Sequence, residues 1–152
     1  MTRNTDNRPA RQRALETYVK LMRATSSVTE KMHGHLRDQG LTNSQFGVLE
    51  ALLHLGPLCQ REIGEKILKT GGNMTLVIDN LVKRGLVKRV QDSRDRRYME
   101  IHLTLKGQDL ISGVFPRHAA IAEEVFAILN ADEQKQLGEL LKKLGCSEPI
   151  TH

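Results

Sequence analysis

The chain has 152 residues, 39% of them hydrophobic and 27% charged, with a formal net charge of +5. That length suits one compact unit, and that balance excludes a chain disordered throughout or a collagen-like fibre. No apolar run approaches the ~18 residues of a membrane span, and no apolar segment follows the basic start to make a secretory signal.

Two cysteines, Cys59 and Cys146, lie too far apart in sequence to suggest a disulfide or metal framework. The expected location is cytoplasmic. In chain order, residues 1–9 read as a frayed arm ending in Arg8-Pro9. Leu15, Val19, Met22, Val28 and Met32 recur at mostly helical steps, predicting one long helix over 10–37 that Gly40 ends. Thr42 and Gln45 have capping-box spacing and open a second helix, whose apolar stripe is Phe46, Leu49, Leu52 and Leu53. Gly56-Pro57 stops it. A short third helix over 60–68 places Ile63 and Ile67 one turn apart, and Thr70-Gly71-Gly72 breaks the chain.

A fourth helix over 72–84 carries Met74, Val77, Ile78 and Leu81 at the best helical period in the sequence, with Gly85 suited to its left-handed end. The period then changes to two. Residues 86–90 and 97–103 flank the polar turn Asp92-Ser93-Arg94-Asp95-Arg96, and Met99, Ile101 and Leu103 alternate with Tyr98, Glu100 and His102, predicting a β-hairpin. Thr104 caps a fifth helix reaching about Leu129, bent or interrupted near Pro116. Asn130 and Glu133 make a second capping box before a last helix carrying Leu137, Leu140, Leu141 and Leu144. The expected fold class is mainly α with a small β-hairpin wing.

The window from Lys83 to Arg97 holds Lys83, Arg84, Lys88, Arg89, Arg94, Arg96 and Arg97 against Asp92 and Asp95. Its surplus of five positive charges equals the net charge of the whole chain. Three helices and a hairpin in this order, with the basic excess in the last helix and the turn, are the arrangement of a winged helix-turn-helix. In that arrangement the second helix of the pair lies in the DNA major groove.

If Met74, Val77, Ile78 and Leu81 face the core, then Asn73, Leu76, Asn80 and Lys83 share the opposite face, with Gly72 and Thr75 beside it. Asparagine can pair with an adenine edge, Leu76 and Thr75 can meet a thymine methyl, and Lys83 suits phosphate. Gln60 and Arg61, at the start of the third helix, join these candidate contacts. The same pattern also fits an ordinary amphipathic helix with a solvated polar face. The turn tips the balance, because guanidinium groups at a loop tip can enter a narrow minor groove. Asp92 and Asp95 are expected to brace that loop, accepting from turn N–H groups and from Arg97, so that Arg94 and Arg96 reach outward, and Arg94, Arg96 and Arg97 are all candidate DNA contacts.

These residues resemble the MarR family (multiple antibiotic resistance regulators) over essentially the full length. The resemblance rests on Leu41-Thr42-Asn43-Ser44-Gln45-Phe46, on Asn80-Leu81-Val82-Lys83-Arg84-Gly85-Leu86-Val87, on the wing from Asp92 to Arg97, and on Leu103-Thr104-Leu105-Lys106-Gly107. It implies a homodimer joined through its first and last two helices, binding a pseudo-palindromic operator in double-stranded DNA and usually repressing transcription. Release by a phenolic or other small aromatic molecule, or by oxidation of a cysteine, is implied as well. The expected division is an arm and dimerisation helix over 1–40, a winged helix-turn-helix over 41–103, and dimerisation helices over 104–152.

The sequence departs from the common family pattern at Gly71-Gly72-Asn73-Met74-Thr75-Leu76, which resembles a branch that includes quinone-responsive repressors. Leu76 there cannot make the arginine-to-guanine contact. Met22, Met32, His33, Phe46 and His118 are candidates for an effector pocket and equally for core packing. Cys59, at the start of the third helix, fits a reactive thiol or a cysteine standing in for a Ser or Thr cap. His33 and His35, two apart on a helix, should point in different directions, so no metal site is expected. No cofactor is expected either. No nucleophile elbow, phosphate loop or paired-carboxylate context marks an enzyme. The alternative function is a helical-dimer interaction module whose basic hairpin docks an acidic protein.

Overall fold

The computed structural model describes residues 8–67 and 73–146. Six α-helices and a three-stranded antiparallel sheet follow one another as α1 (Ala10–His33), a 3-10 turn (Gly34–Gln39), α2 (Asn43–Leu55), β1 (Leu58–Cys59), α3 (Gln60–Lys66), α4 (Met74–Lys83), β2 (Val87–Gln91), β3 (Met99–Leu103), α5 (Leu105–Phe126) and α6 (Ala131–Gly145). The mainly helical class with a hairpin wing is the one the residue pattern calls for.

Several boundaries differ from expectation, each for a local reason. The first helix stops at His33, and the chain tightens into the 3-10 turn before Gly40 reverses it at φ 63°. The third helix ends at Lys66 because Ile67 is already extended (φ −86°, ψ 136°), and Leu68 lies outside the described residues. The fourth helix begins at Met74, with Asn73 as its N-cap, and Gly71 and Gly72 lie outside the described residues. Helix α5 runs through Pro116 to Phe126 as one element, although proline leaves one helical hydrogen bond unmade.

Strand β1 had no sequence signal, being two residues long. It pairs with β3, Leu58 opposite Ile101 and Cys59 opposite Glu100. The sheet order β1-β3-β2 puts β3 in the middle. In the hairpin Val87 stands opposite Leu103, Arg89 opposite Ile101 and Gln91 opposite Met99. Ile101 is buried while Met99 is exposed, so only the inner half of the hairpin joins the core.

The core gathers Leu36, Leu49, Ile63, Ile78, Leu81, Leu86, Ile101 and Ile111, all essentially without exposed surface. Each such side chain contributes about 1.5–3 kcal/mol by leaving water. These residues come from the 3-10 turn, α2, α3, α4, the sheet and α5, which lock into one body. Helices α1 and α6 contribute none. Leu15, Tyr18 and Met22 on α1 and Leu140, Leu141 and Leu144 on α6 are exposed. Among the described residues no helix is long and apolar enough to cross a membrane.

Candidate nucleic-acid interface

Helix α4 is built to hold its apolar side inward. Ile78 and Leu81 are fully buried and Met74 and Val77 pack against the core. Asn73, Thr75, Leu76 and Lys83 are exposed, and Asn80 is half-buried. Asn73 has a second task. Its Oδ1 accepts from Thr75 N at 3.0 Å, satisfying one of the free N–H groups of the helix start. The Gln60 amide donates to Thr75 Oγ1 at 2.8 Å, so Gln60 bridges the starts of α3 and α4. Arg61 points along its own helix to Glu65, 3.2 Å away.

The wing tip is held by its two aspartates. Asp92 Oδ1 accepts from Arg94 N at 2.7 Å, and Asp95 Oδ1 accepts from Arg97 N at 3.1 Å. Arg97 then folds its guanidinium back onto the same carboxylate, at 3.0 and 2.8 Å. This pairing lowers the pKa of Asp95 and raises that of Arg97. Gln91 closes the turn by donating to Arg96 O at 2.9 Å. The side chains of Arg94 and Arg96 make no hydrogen bond or ion pair with any described residue, and both are exposed.

The basic window is therefore not uniformly outward-facing. Arg89 shares the Ile101 side of the sheet, where it pairs with Asp79 of α4 and ties the wing's first strand to that helix. Arg84 turns toward backbone carbonyls instead of solvent. Lys83, Lys88, Arg94 and Arg96 remain as cations unpaired among the described residues. Sequence reasoning missed that Arg84 and Arg89 are engaged by groups of the protein itself, since nothing in composition says which face of a strand or helix end a charge will occupy.

The structure brings three of the five candidate pocket residues together. A cavity of about 470 Å³ is lined by His33, Phe46, Gly47, Glu50, His54, Lys66 and His118, among others. The Phe46 and His118 rings lie 4.3 Å apart, and His35 Nε2 meets His118 Nδ1 at 3.0 Å. Met22 and Met32 do not line it. Met22 sits on the exposed side of α1, and Met32 precedes the point where the chain leaves the helix.

His33 and His35 were expected to diverge, but both lie against His118, with the His33 and His118 rings stacked at 6.3 Å. They converge because α1 ends between them. Burial is the largest cause holding all three imidazoles below their ordinary pKa, and each histidine's proximity to its neighbours adds to it for His33 and His118. No group of three or more potential metal ligands is assembled among the described residues. Cys59, half-buried, is the N-cap of α3, and its N–H donates to Glu62 Oε2 at 2.8 Å. That bond is the chief reason Glu62 titrates low.

The family model for MarR matches residues 41–99, from just before α2 through the wing turn to the first residue of β3. The HTH-type transcriptional regulator MhqR of Bacillus subtilis is 34% identical over 141 residues, covering 93% of this chain and 97% of that protein. The chain belongs to the MarR family. The uncharacterized HTH-type transcriptional regulator YkoM of Bacillus subtilis is 38% identical, covering 95% of this chain and 94% of its own. Among solved structures, Bordetella bronchiseptica BpsR superposes with a TM-score of 0.73 at 27% identity, covering 84% of this chain and 91% of that one. A MarR-family regulator is a DNA-binding protein, and membership favours DNA over an acidic protein as the partner of the basic hairpin.

Proposed function

We propose that the protein is a homodimeric repressor that reads a pseudo-palindromic DNA site with α4 and the wing, and lets go when a small phenolic or other aromatic molecule enters the cavity beside Phe46 and His118. The observation that carries the reading is the wing tip. Two aspartates shape the loop, leaving Arg94 and Arg96 unpaired among the described residues, and α4 presents Asn73, Thr75, Leu76 and Lys83 at the surface. Arg89 to Asp79 makes wing and helix one unit, so both dock in a fixed relation.

Two facts support the dimer. Helix α6 is amphipathic yet packs on no other element of its own chain beyond marginal contact among the described residues. A helix of 15 residues is marginal alone in water. The exposed Leu140 and Leu141 and the exposed apolar side of α1 then need a partner, which a second copy supplies. In this reading residues 41–103 are the DNA-reading unit, and 1–40 with 104–152 join the protomers. Regulation of BpsR DNA binding by 6-hydroxynicotinic acid supports a small aromatic effector.

Selection from a random-sequence duplex library tests the reading. The protein should enrich paired half-sites with centres about 34–36 Å apart, one duplex turn. Leu140→Glu with Leu144→Glu should convert the sedimenting species from dimer to monomer and abolish enrichment. A phenol panel should include compounds that raise the melting temperature and release the selected duplex. No enrichment above background defeats the DNA-reading proposal, and a wild-type monomer at micromolar concentration defeats the dimer.

A further inference from the structure

Arg84 caps α4 from within the basic window, yet its guanidinium is half-buried against the body of the protein. Nη1 donates to Gly40 O at 2.7 Å and to Gln45 Oε1 at 3.4 Å, and Nη2 donates to Gln39 O at 3.5 Å. Those acceptors are shaped for it. Gly40 is left-handed at φ 63°, and Leu41 N bonds back to Leu36 O at 3.0 Å, which closes the end of the 3-10 turn. Gln45 Oε1 also accepts from Thr42 N at 3.1 Å in the capping box of α2. On the other side, the carbonyl of Arg84 accepts from Lys106 Nζ at 3.0 Å. The last turn of α4 is thus gripped between the turn Gly34–Gln39 and the first turn of α5.

We propose that Arg84 is a positioning residue for sequence reading: it locks the C-terminal end of α4 to the turn Gly34–Gln39 and touches no DNA. The proposal rests on the DNA-reading function above. Three of the five N–H groups of the guanidinium are engaged with the protein, which leaves it fewer donors to turn toward a phosphate. The same turn carries His35, bonded to His118 in the cavity wall, so the lock joins the cavity side of the molecule to the reading helix through direct contacts.

The test compares Arg84→Gln, Arg84→Lys and Lys83→Gln in the full chain, on a duplex selected by the wild type and on a random-sequence duplex. Arg84→Gln should weaken the selected duplex about tenfold or more, leave the random duplex within about twofold, and keep the slope of log affinity against log salt. Arg84→Lys, which keeps a donor for Gly40 O, should restore most of the loss. Lys83→Gln should flatten the slope by about 0.9 on both duplexes, as a lost phosphate contact does. Equal loss on both duplexes with a flattened slope for Arg84→Gln would identify a phosphate contact and overturn the proposal, as would unchanged affinity for the selected duplex. Without DNA, amide exchange at Gly40 and Leu41 should quicken in Arg84→Gln and not in Arg84→Lys. Unchanged exchange overturns the lock even where no duplex is selected, an outcome that by itself defeats only the DNA reading.

Discussion

Asn73 carries two requirements at one position. Its side-chain oxygen caps α4, and its amide is the group that could pair with a base edge. An alanine there confounds the two, since losing a cap costs about 1 kcal/mol of stability before any base contact is counted. Serine separates them, being nearly as good a cap but unable to pair bidentately with adenine. Asn73→Ser is expected to hold the melting temperature within a degree or two while losing about 1–3 kcal/mol of discrimination on the selected duplex. Thermal unfolding and competition binding measure both. Loss of stability with intact discrimination would leave Asn73 a cap and nothing more. At this scale the charges divide in the same way: Arg97 shapes the loop through Asp95, whereas Arg94 and Arg96, three and one residues before it, are left without partners among the described residues.

At the scale of elements, the run Leu103-Thr104-Leu105-Lys106-Gly107 is a joint between the wing and α5. Thr104 Oγ1 accepts from Gly107 N at 3.0 Å and donates to Gly85 O at 2.6 Å, so one hydroxyl caps α5 and holds the end of α4. Lys106 reaches the next carbonyl back, that of Arg84. Gly107 is required for a steric reason. A Cβ there would stand 1.9 Å from Leu86 O, a backbone atom that cannot swing away. Gly107→Ala should force α5 off the start of β2 and destabilise the fold by about 1–3 kcal/mol, read from the denaturant midpoint. Gly113→Ala on the same helix, where a Cβ meets nothing within 4 Å, is the control and should stabilise the fold by about 0.5–1 kcal/mol through helix propensity alone. Equal effects of the two would remove the close approach as the cause.

At the scale of the whole molecule, the histidine cluster is a tertiary product. His33 ends α1, His35 sits in the 3-10 turn and His118 lies on α5, each held below its ordinary pKa of 6.5 with burial as the largest cause. Around His35, Arg117 lowers the pKa further, while Asp38 and the Met32 backbone oppose it. The sign follows from linkage. The unfolded chain binds protons these imidazoles refuse when folded, so their contribution is complete above about pH 6.5 and is lost as pH falls below it. The melting temperature should therefore drop between about pH 7 and 5.5, and His118→Phe should flatten that drop. A wild-type profile as flat as the variant's would show that the cluster accepts protons in the native state.

Much of the fold was legible because its signals are local. The Thr42, Thr104 and Asn130 caps, the buried positions of α4 and the alternation along the hairpin's second strand depend on residues within one turn or one pleat of each other. Strand β1 escaped because two residues carry no period; it exists only where β3 offers an edge. The convergence of His33 and His35 escaped because it depends on where α1 stops, and helix ends are settled by what the next segment packs against. Glu50, His54 and Lys66 at the cavity gave no signal, being isolated polar residues on helices whose spacing says nothing about a shared void.

By itself, then, the order of residues determined the six helices and the hairpin, most of their caps, the apolar sides of α2 and α4, the basic turn and membership of the family, since each is written within short spans of chain. Only the tertiary structure decided which cations remain available, which ring nitrogens meet and where a cavity opens. Those outcomes depend on contacts between residues as far apart in sequence as Arg84 from Gly40 and His118 from His35, and backbone propensity carries no information at that separation.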